Sequence, residues 1–222
     1  MKLTVFGGSG LVGQQLLEQA VAAGHDVTAV VRDPQKVARF PVTVVTADLL
    51  TADLDTLVFA IGGADAVLSA IGPADNKAAG IASKGTAAII EAMHETAVRR
   101  LIVVSAAPVR TTPSPRNPNP PKRDEGDPFF LKYVIYPIVK AVLRPRYLDL
   151  ALMEDELEAS DLDWTAIRPV QLTDKPLTAN YRIALGENLP GGRYVSRADV
   201  AHCMLRALDW PETSGRAVGM AD

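Results

Sequence analysis

The stretch Thr4 to Pro34, TVFGGSGLVGQQLLEQAVAAGHDVTAVVRDP, constrains the fold more than any other part of the chain. An apolar run leads into four glycines and one serine within Gly7 to Gly13; a helical pattern and a second apolar run follow. Gly7, Gly10 and Gly13 satisfy GxxGxxG, while Gly8, Gly10 and Gly13 satisfy GxGxxG. Both spacings stand between a strand and a helix, the context that gives the pattern its meaning. Glycine lets the backbone turn sharply, approach a pyrophosphate without a Cβ in the way, and hold the helix close to the strand. The helix N-terminus then offers free N–H groups and a positive dipole end to phosphate. A tight turn with close packing explains the glycines without a ligand, but the β-turn-helix-β context favours a dinucleotide.

The rest of the N-terminal two thirds repeats this alternation. Apolar runs at Lys2–Phe6, Asp26–Val31, Val42–Thr46, Asp65–Ile71, Arg100–Ser105 and Trp164–Arg168 read as strands buried on both faces. Helical patterns fall at Leu11–Ala23, Leu54–Ile61 and Asn76–Ala97. The expected fold class is therefore α/β, a Rossmann-type doubly wound parallel sheet with a small C-terminal substrate lobe. The expected organisation is one domain over 1–222, a Pro-rich loop and apolar helix over 108–150, and the small lobe over 172–222. In "VSRADVAHCML", Ser196 followed three residues later by Asp199 marks the start of a C-terminal helix.

Composition bounds the partners. With 222 residues, 48% hydrophobic and 22% charged, the chain can bury a full core, and a net charge of −3 gives no field that draws nucleic acid or an anionic membrane. No apolar run approaches the roughly 20 residues of a membrane span. The single Cys203 forms no internal disulfide, and the N-terminus lacks the pattern of a signal peptide, so the expected compartment is the cytoplasm. The partner expected is a small-molecule acceptor, with the chain a monomer or homodimer.

After the second strand stands Arg32, where NAD-preferring sites place an acidic residue on the ribose 2′-OH. A guanidinium there suits a 2′-phosphate, which favours NADP(H), although a solvated arginine paired with Asp33 is the plainer reading. Seven of the 16 prolines fall between Pro108 and Pro128, in APVRTTPSPRNPNPPKRDEGDPFF. That segment is either a floppy insertion or a lid over the strand ends, in which Phe129, Phe130, Tyr133 and Tyr136 would stack on a flat acceptor.

The phrases VFGGSGLVG, VVRDP, SKGTAAIIEAM, RLIVVSA, LEASDLDWTAIRPVQLTDKPLTANYRIA and YVSRADVAHCML together resemble the atypical short-chain dehydrogenase/reductases of the NmrA-like group. Within that group the chain is most similar to biliverdin/flavin reductase. The resemblance implies NADP(H) as cofactor, with Gly7, Ser9, Gly10, Leu11, Val12 and Gly13 on the pyrophosphate and Arg32 on the 2′-phosphate. It implies Asp48 and Leu49 beside the adenine, and Ala70, Ile71 and Gly72 beside the ribose. Ser105, Ala106, Pro169, Val170 and Gln171 would border the nicotinamide, with Ser105 and Gln171 as the candidate catalytic positions. The activity implied is reduction of a flat conjugated acceptor such as a flavin, a quinone or a tetrapyrrole-like molecule. A non-catalytic NADP-sensing regulator and an epimerase or isomerase are the alternatives the same fold allows.

Two departures stand out. The group's tyrosine-lysine pair, four residues apart on one helix face, would fall at Tyr147 and Ala151, where there is no lysine. YPIVK, Tyr136 to Lys140, has the spacing but sits too early, and chance accounts for it best. Gln171 stands where biliverdin/flavin reductase has a histidine. The histidines His25, His94 and His202 lack the spacing of metal ligands, Cys203 reads as a buried inert thiol, and the acidic run Glu154 to Glu158 reads as a solvated helix face.

Overall fold

The computed structural model describes residues 1–121 and 142–222. Its strands are β1 (Lys2–Phe6), β2 (Asp26–Val31), β3 (Thr43–Thr46), β4 (Ala66–Ser69), β5 (Arg100–Val104), β6 (Asp163–Pro169), β7 (Gln171–Thr173), β8 (Arg182–Leu185), β9 (Tyr194–Ser196) and β10 (Arg216–Ala221). Its α-helices are α1 (Leu11–Ala22), α2 (Leu54–Ile61), α3 (Ile81–His94), α4 (Arg144–Ala159) and α5 (Arg197–Arg206). Eight strands form one sheet in the order β3-β2-β1-β4-β5-β6-β10-β8, parallel except for β8, which runs antiparallel to β10. This is a Rossmann-like α/β architecture. The apolar runs end up covered on both faces: α2, α3 and α4 pack against one and α1 and α5 against the other.

Strand order reverses between β1 and β4: β2 and β3 are added outward on one side of this parallel pair and β5 and β6 on the other. In such folds the crevice beyond the carboxyl ends of the strands at that reversal is where ligands bind. The register brings Phe6 opposite Val30 and Ser69, Ser69 opposite Val103, and Val104 opposite Ile167. The loops after β1, β2, β4, β5 and β6 therefore open on one edge.

Several boundaries differ from the sequence reading, each for a local reason. The long helical pattern from Asn76 is interrupted: a 3-10 turn spans Asn76–Ala78, and α3 begins only at Ile81, because Gly80 adopts φ +101°. The acidic run is not wholly solvated, since Glu154 is 5% exposed and lies on the face of α4 that carries Leu150, Met153 and Leu157. The sequence reading ends the sheet at its sixth strand, yet β10 and β8 extend it, while β7 and β9 form a separate parallel ribbon. Gly219 hides β10 from a pattern search, and its place requires glycine: a Cβ there would meet the Glu187 carbonyl oxygen at 2.1 Å. Phe129, Phe130, Tyr133, Tyr136 and Lys140 lie outside the described residues.

Candidate functional site

The glycine turn is built by close backbone approach. Gly7 takes φ +73°, and a Cβ on it would stand 2.8 Å from the carbonyl of Ala70 on the neighbouring strand end. Gly13 is still more constrained, since its Cβ would meet Gly7 O at 2.1 Å. Gly10 N donates to Gly7 O at 3.0 Å, and the same Gly10 is the N-cap of α1. The first turn of α1 carries no side-chain cap and no acidic residue, so its dipole end and amides are left for an anion. A dinucleotide pyrophosphate fits this cradle: the glycines clear the space a Cβ would fill, and the helix end supplies the donors. Ser9 and the exposed Leu11 flank the turn, and the side-chain amide of Gln14 braces it by donating to Ser9 O at 3.3 Å.

Around the turn the structure gathers the residues named from the sequence. Arg32 follows β2 and is exposed, and no hydrogen bond or ion pair of its guanidinium is found among the described residues. Its neighbour Asp33 is otherwise engaged: its carboxylate accepts from Gln35 N at 3.1 Å and caps the 3-10 turn Pro34–Val37. Asp48 after β3 folds its own loop, accepting from Leu50 N at 3.0 Å. Leu49 and Ile71 approach Gly85 of α3, within 3.5 and 3.9 Å of where its Cβ would be. Ala70 N is tied to Phe6 O, and Gly72 is exposed just beyond.

On the other side of the reversal, Ser105 and Ala106 leave β5 and Pro169, Val170 and Gln171 span the passage from β6 to β7. Ser105 N donates to Ile167 O at 2.7 Å, and Val170 N to Met220 O at 3.2 Å, so both strand ends are pinned. Gln171 is exposed and opens the small ribbon opposite Tyr194. Ser105 is buried, and its hydroxyl donates inward to the carboxylate of Glu154. That carboxylate is also held by Arg168, through Nε at 2.9 Å and through Nη2. The Ser105 hydroxyl hydrogen is thus committed, and what the side chain retains is acceptor capacity.

Sequence reasoning missed this Glu154–Arg168 pair. The signal was present in the helical period: Glu154 stands four residues after Leu150 and three before Leu157, on the apolar stripe.

Tyr147 is half-buried against the core formed by α2, α3 and α4, and burial pushes its hydroxyl above the usual tyrosine range, with Arg146 opposing only in part. Ala151, one turn on, is 3% exposed and offers no ammonium. The register of the expected pair therefore holds a phenol that keeps its proton. Asp149 serves the fold instead: buried on α4, it accepts from Ala82 N and Ser83 N at 3.0 Å and from Ser83 Oγ at 2.7 Å, capping α3 from outside. His94 pairs with Asp161 on the surface and His202 with the Tyr181 hydroxyl. Cys203 is buried and its thiol is pushed up to about 11 by burial, which keeps it a thiol. Among the described residues no helix is long and apolar enough to cross a membrane.

A family model described as NAD(P)H-binding matches residues 7–211. A Bacillus subtilis (strain 168) protein, the uncharacterized protein YwnB, is 28% identical over 230 residues, covering 96% of this chain and 94% of that protein. Among solved structures, the oxidoreductase ylbE from Lactococcus lactis superposes with a TM-score of 0.78 at 19% identity, covering 100% of this chain and 91% of that one. ChuY of Escherichia coli O157:H7, described as an anaerobilin reductase, has a TM-score of 0.77 at 22% identity, covering 100% of this chain and 97% of that one.

Proposed function

The chain belongs to the NAD(P)H-binding family, and on that premise we propose that it is an NADP(H)-dependent reductase of a flat conjugated acceptor, such as a flavin, a quinone or a tetrapyrrole-like molecule. The bound dinucleotide supplies the hydride. The chain's own residues bind, orient and exclude water. Gly7, Ser9, Gly10, Leu11, Val12 and Gly13 hold the pyrophosphate against α1, and Arg32 meets the 2′-phosphate. Asp48 and Leu49 flank the adenine; Ala70, Ile71 and Gly72 border the ribose. Ser105, Ala106, Pro169, Val170 and Gln171 frame the reacting end. There Ser105 accepts a hydrogen bond and Gln171 orients the carboxamide or the acceptor.

One observation carries the choice of NADP(H): Asp33 is turned into a backbone cap while Arg32 stands exposed beside it. A second observation supports a flat acceptor over a simple carbonyl. At the register of the expected pair, Tyr147 has a raised pKa and Ala151 replaces the lysine, so no lowered phenol is there to protonate a carbonyl. An electron-poor ring system takes the hydride without that group, drawing its proton from solvent. The likeness to ChuY, a reductase, supports the same class.

The test is oxidation of NADPH, followed by absorbance, across a panel of flavins, quinones, a linear tetrapyrrole and carbonyl compounds. Turnover on the ring systems and none on the carbonyls is the expected result. Tight NADP+ binding with no oxidation by any acceptor would leave a dinucleotide sensor, and turnover on carbonyls alone would return the catalytic role to an acid outside the positions named.

A further inference from the structure

The buried Glu154–Arg168 pair does work that the cofactor cradle does not explain. Glu154 comes from the middle of α4, Arg168 from the end of strand β6, and the serine that Glu154 engages is the first residue after β5. Their side chains are 7% and 13% exposed. Removing an ion pair from water is costly, and apolar residues of the same volume would join α4 to the sheet equally well or better. What an ion pair adds is direction. Two bonds from one guanidinium fix the plane of the carboxylate. The fixed carboxylate then sets the rotamer of Ser105, whose backbone is itself locked to Ile167 at 2.7 Å.

We infer that Glu154 and Arg168 are positioning residues for the nicotinamide half of the cofactor site, an assignment that rests on the NADP(H) reading above. Arg168 precedes Pro169, Val170 and Gln171, and Ser105 precedes Ala106, so the cluster fixes both strand ends that frame the reacting ring. The adenosine half lies on β1, α1 and β2, across β4 from this cluster. The two halves of the site are therefore held by separate devices, and they can be perturbed separately.

The experiment compares titrations of the wild type, Glu154→Gln and Glu154→Asp with NADP+ and with 2′,5′-ADP, which carries the adenosine phosphates and no nicotinamide. Glu154→Gln is expected to weaken NADP+ by about tenfold and to leave 2′,5′-ADP within about twofold, while Glu154→Asp, which keeps the charge, returns most of the loss. Ser105→Ala keeps the ion pair and removes only the serine link; it is expected to weaken NADP+ by about threefold, again selectively, and serves if the Glu154 variants fail to fold. Equal losses for both ligands, or none for either, overturn the assignment. A wild type that binds neither ligand overturns the NADP(H) reading first and this inference with it.

Discussion

Arg32 and Asp33 are adjacent, oppositely charged and exposed, yet the structure gives them different tasks. The Asp33 carboxylate closes the turn Pro34–Val37 through Gln35 N, and the Arg32 guanidinium stands exposed beside it, where we propose it meets the 2′-phosphate. Arg32→Ala is expected to weaken NADPH by about 1.5 to 3 kcal/mol, the range for hydrogen bonds to charged groups, and to leave NADH nearly unchanged. Equal losses in paired titrations would remove the 2′-phosphate from Arg32. A second residue carries strain: Ala179 is the one non-glycine with positive φ among the described residues, at 53°. Its N–H and that of Thr178 donate to Asp199 at 2.8 and 2.9 Å, which holds the turn in place. Ala179→Gly removes the Cβ clash of the left-handed conformation; an unfolding free energy raised by about 1 kcal/mol, read as a higher unfolding midpoint, is expected. An unchanged or lowered midpoint would show that the turn is not strained. At this scale the site was half legible. The glycines and Arg32 announce themselves because spacing and position suffice, whereas the inward turn of Ser105 depends on Glu154, a partner 49 residues away.

Two elements owe their ends to side chains from elsewhere. α3 begins after Gly80 with no cap of its own, and Asp149 of α4 supplies one. Asp149→Ala is expected to cost about 2 kcal/mol in denaturant unfolding, more than Ser83→Ala, since it leaves one buried and one part-buried backbone donor unpaired. A cost within the error of the measurement would mean that water replaces the cap. The N-terminus of α5 is more local: Ser196 and Asp199 bond reciprocally, as the spacing predicts. For Asp199, burial pushes the carboxyl upward, but hydrogen bonds from Ser196, Thr178 and Ala179 outweigh it and hold the pKa below the ordinary value. A depressed folded pKa stabilises the native state above the unfolded value, and that stability is lost as pH falls through the folded one. The stability gap between the wild type and Asp199→Asn is therefore expected to be fully present near neutrality. It should shrink below about pH 4, the ordinary aspartate range. A gap constant down to acid unfolding would show that charge at Asp199 is not what stabilises the turn. The cap on α5 was legible because both partners lie three residues apart. The cap on α3 was not, because its partner arrives only when α4 docks.

The whole molecule divides at the strand reversal between β1 and β4. The first six strands and the helices α1 to α3 follow from apolar runs and their periods, since a strand buried on both faces needs little but Val, Ile, Leu and Ala. The far side of the sheet was less readable. β8 is short and antiparallel, and β10 carries Gly219 in its middle to let the Glu187 carbonyl pass. The crevice at the reversal lies within the legible strands, and in the proposed reading the adenosine end lies beside β1 and β2 and the reacting end beside β5 and β6. The proposed reaction takes place there: in it, hydride passes from NADPH to a flat acceptor framed by the ends of β5 and β6. The most direct measurement is a single turnover under anaerobic conditions with enzyme, NADPH labelled with deuterium at the transferring position of C4, and a flavin in slight excess. Loss of NADPH absorbance matched by flavin bleaching is expected, slower with the labelled cofactor than with the unlabelled one, with the label recovered on the reduced flavin or exchanged from it into solvent. NADPH bound and unoxidised, by flavin and equally by quinone and tetrapyrrole, would contradict it.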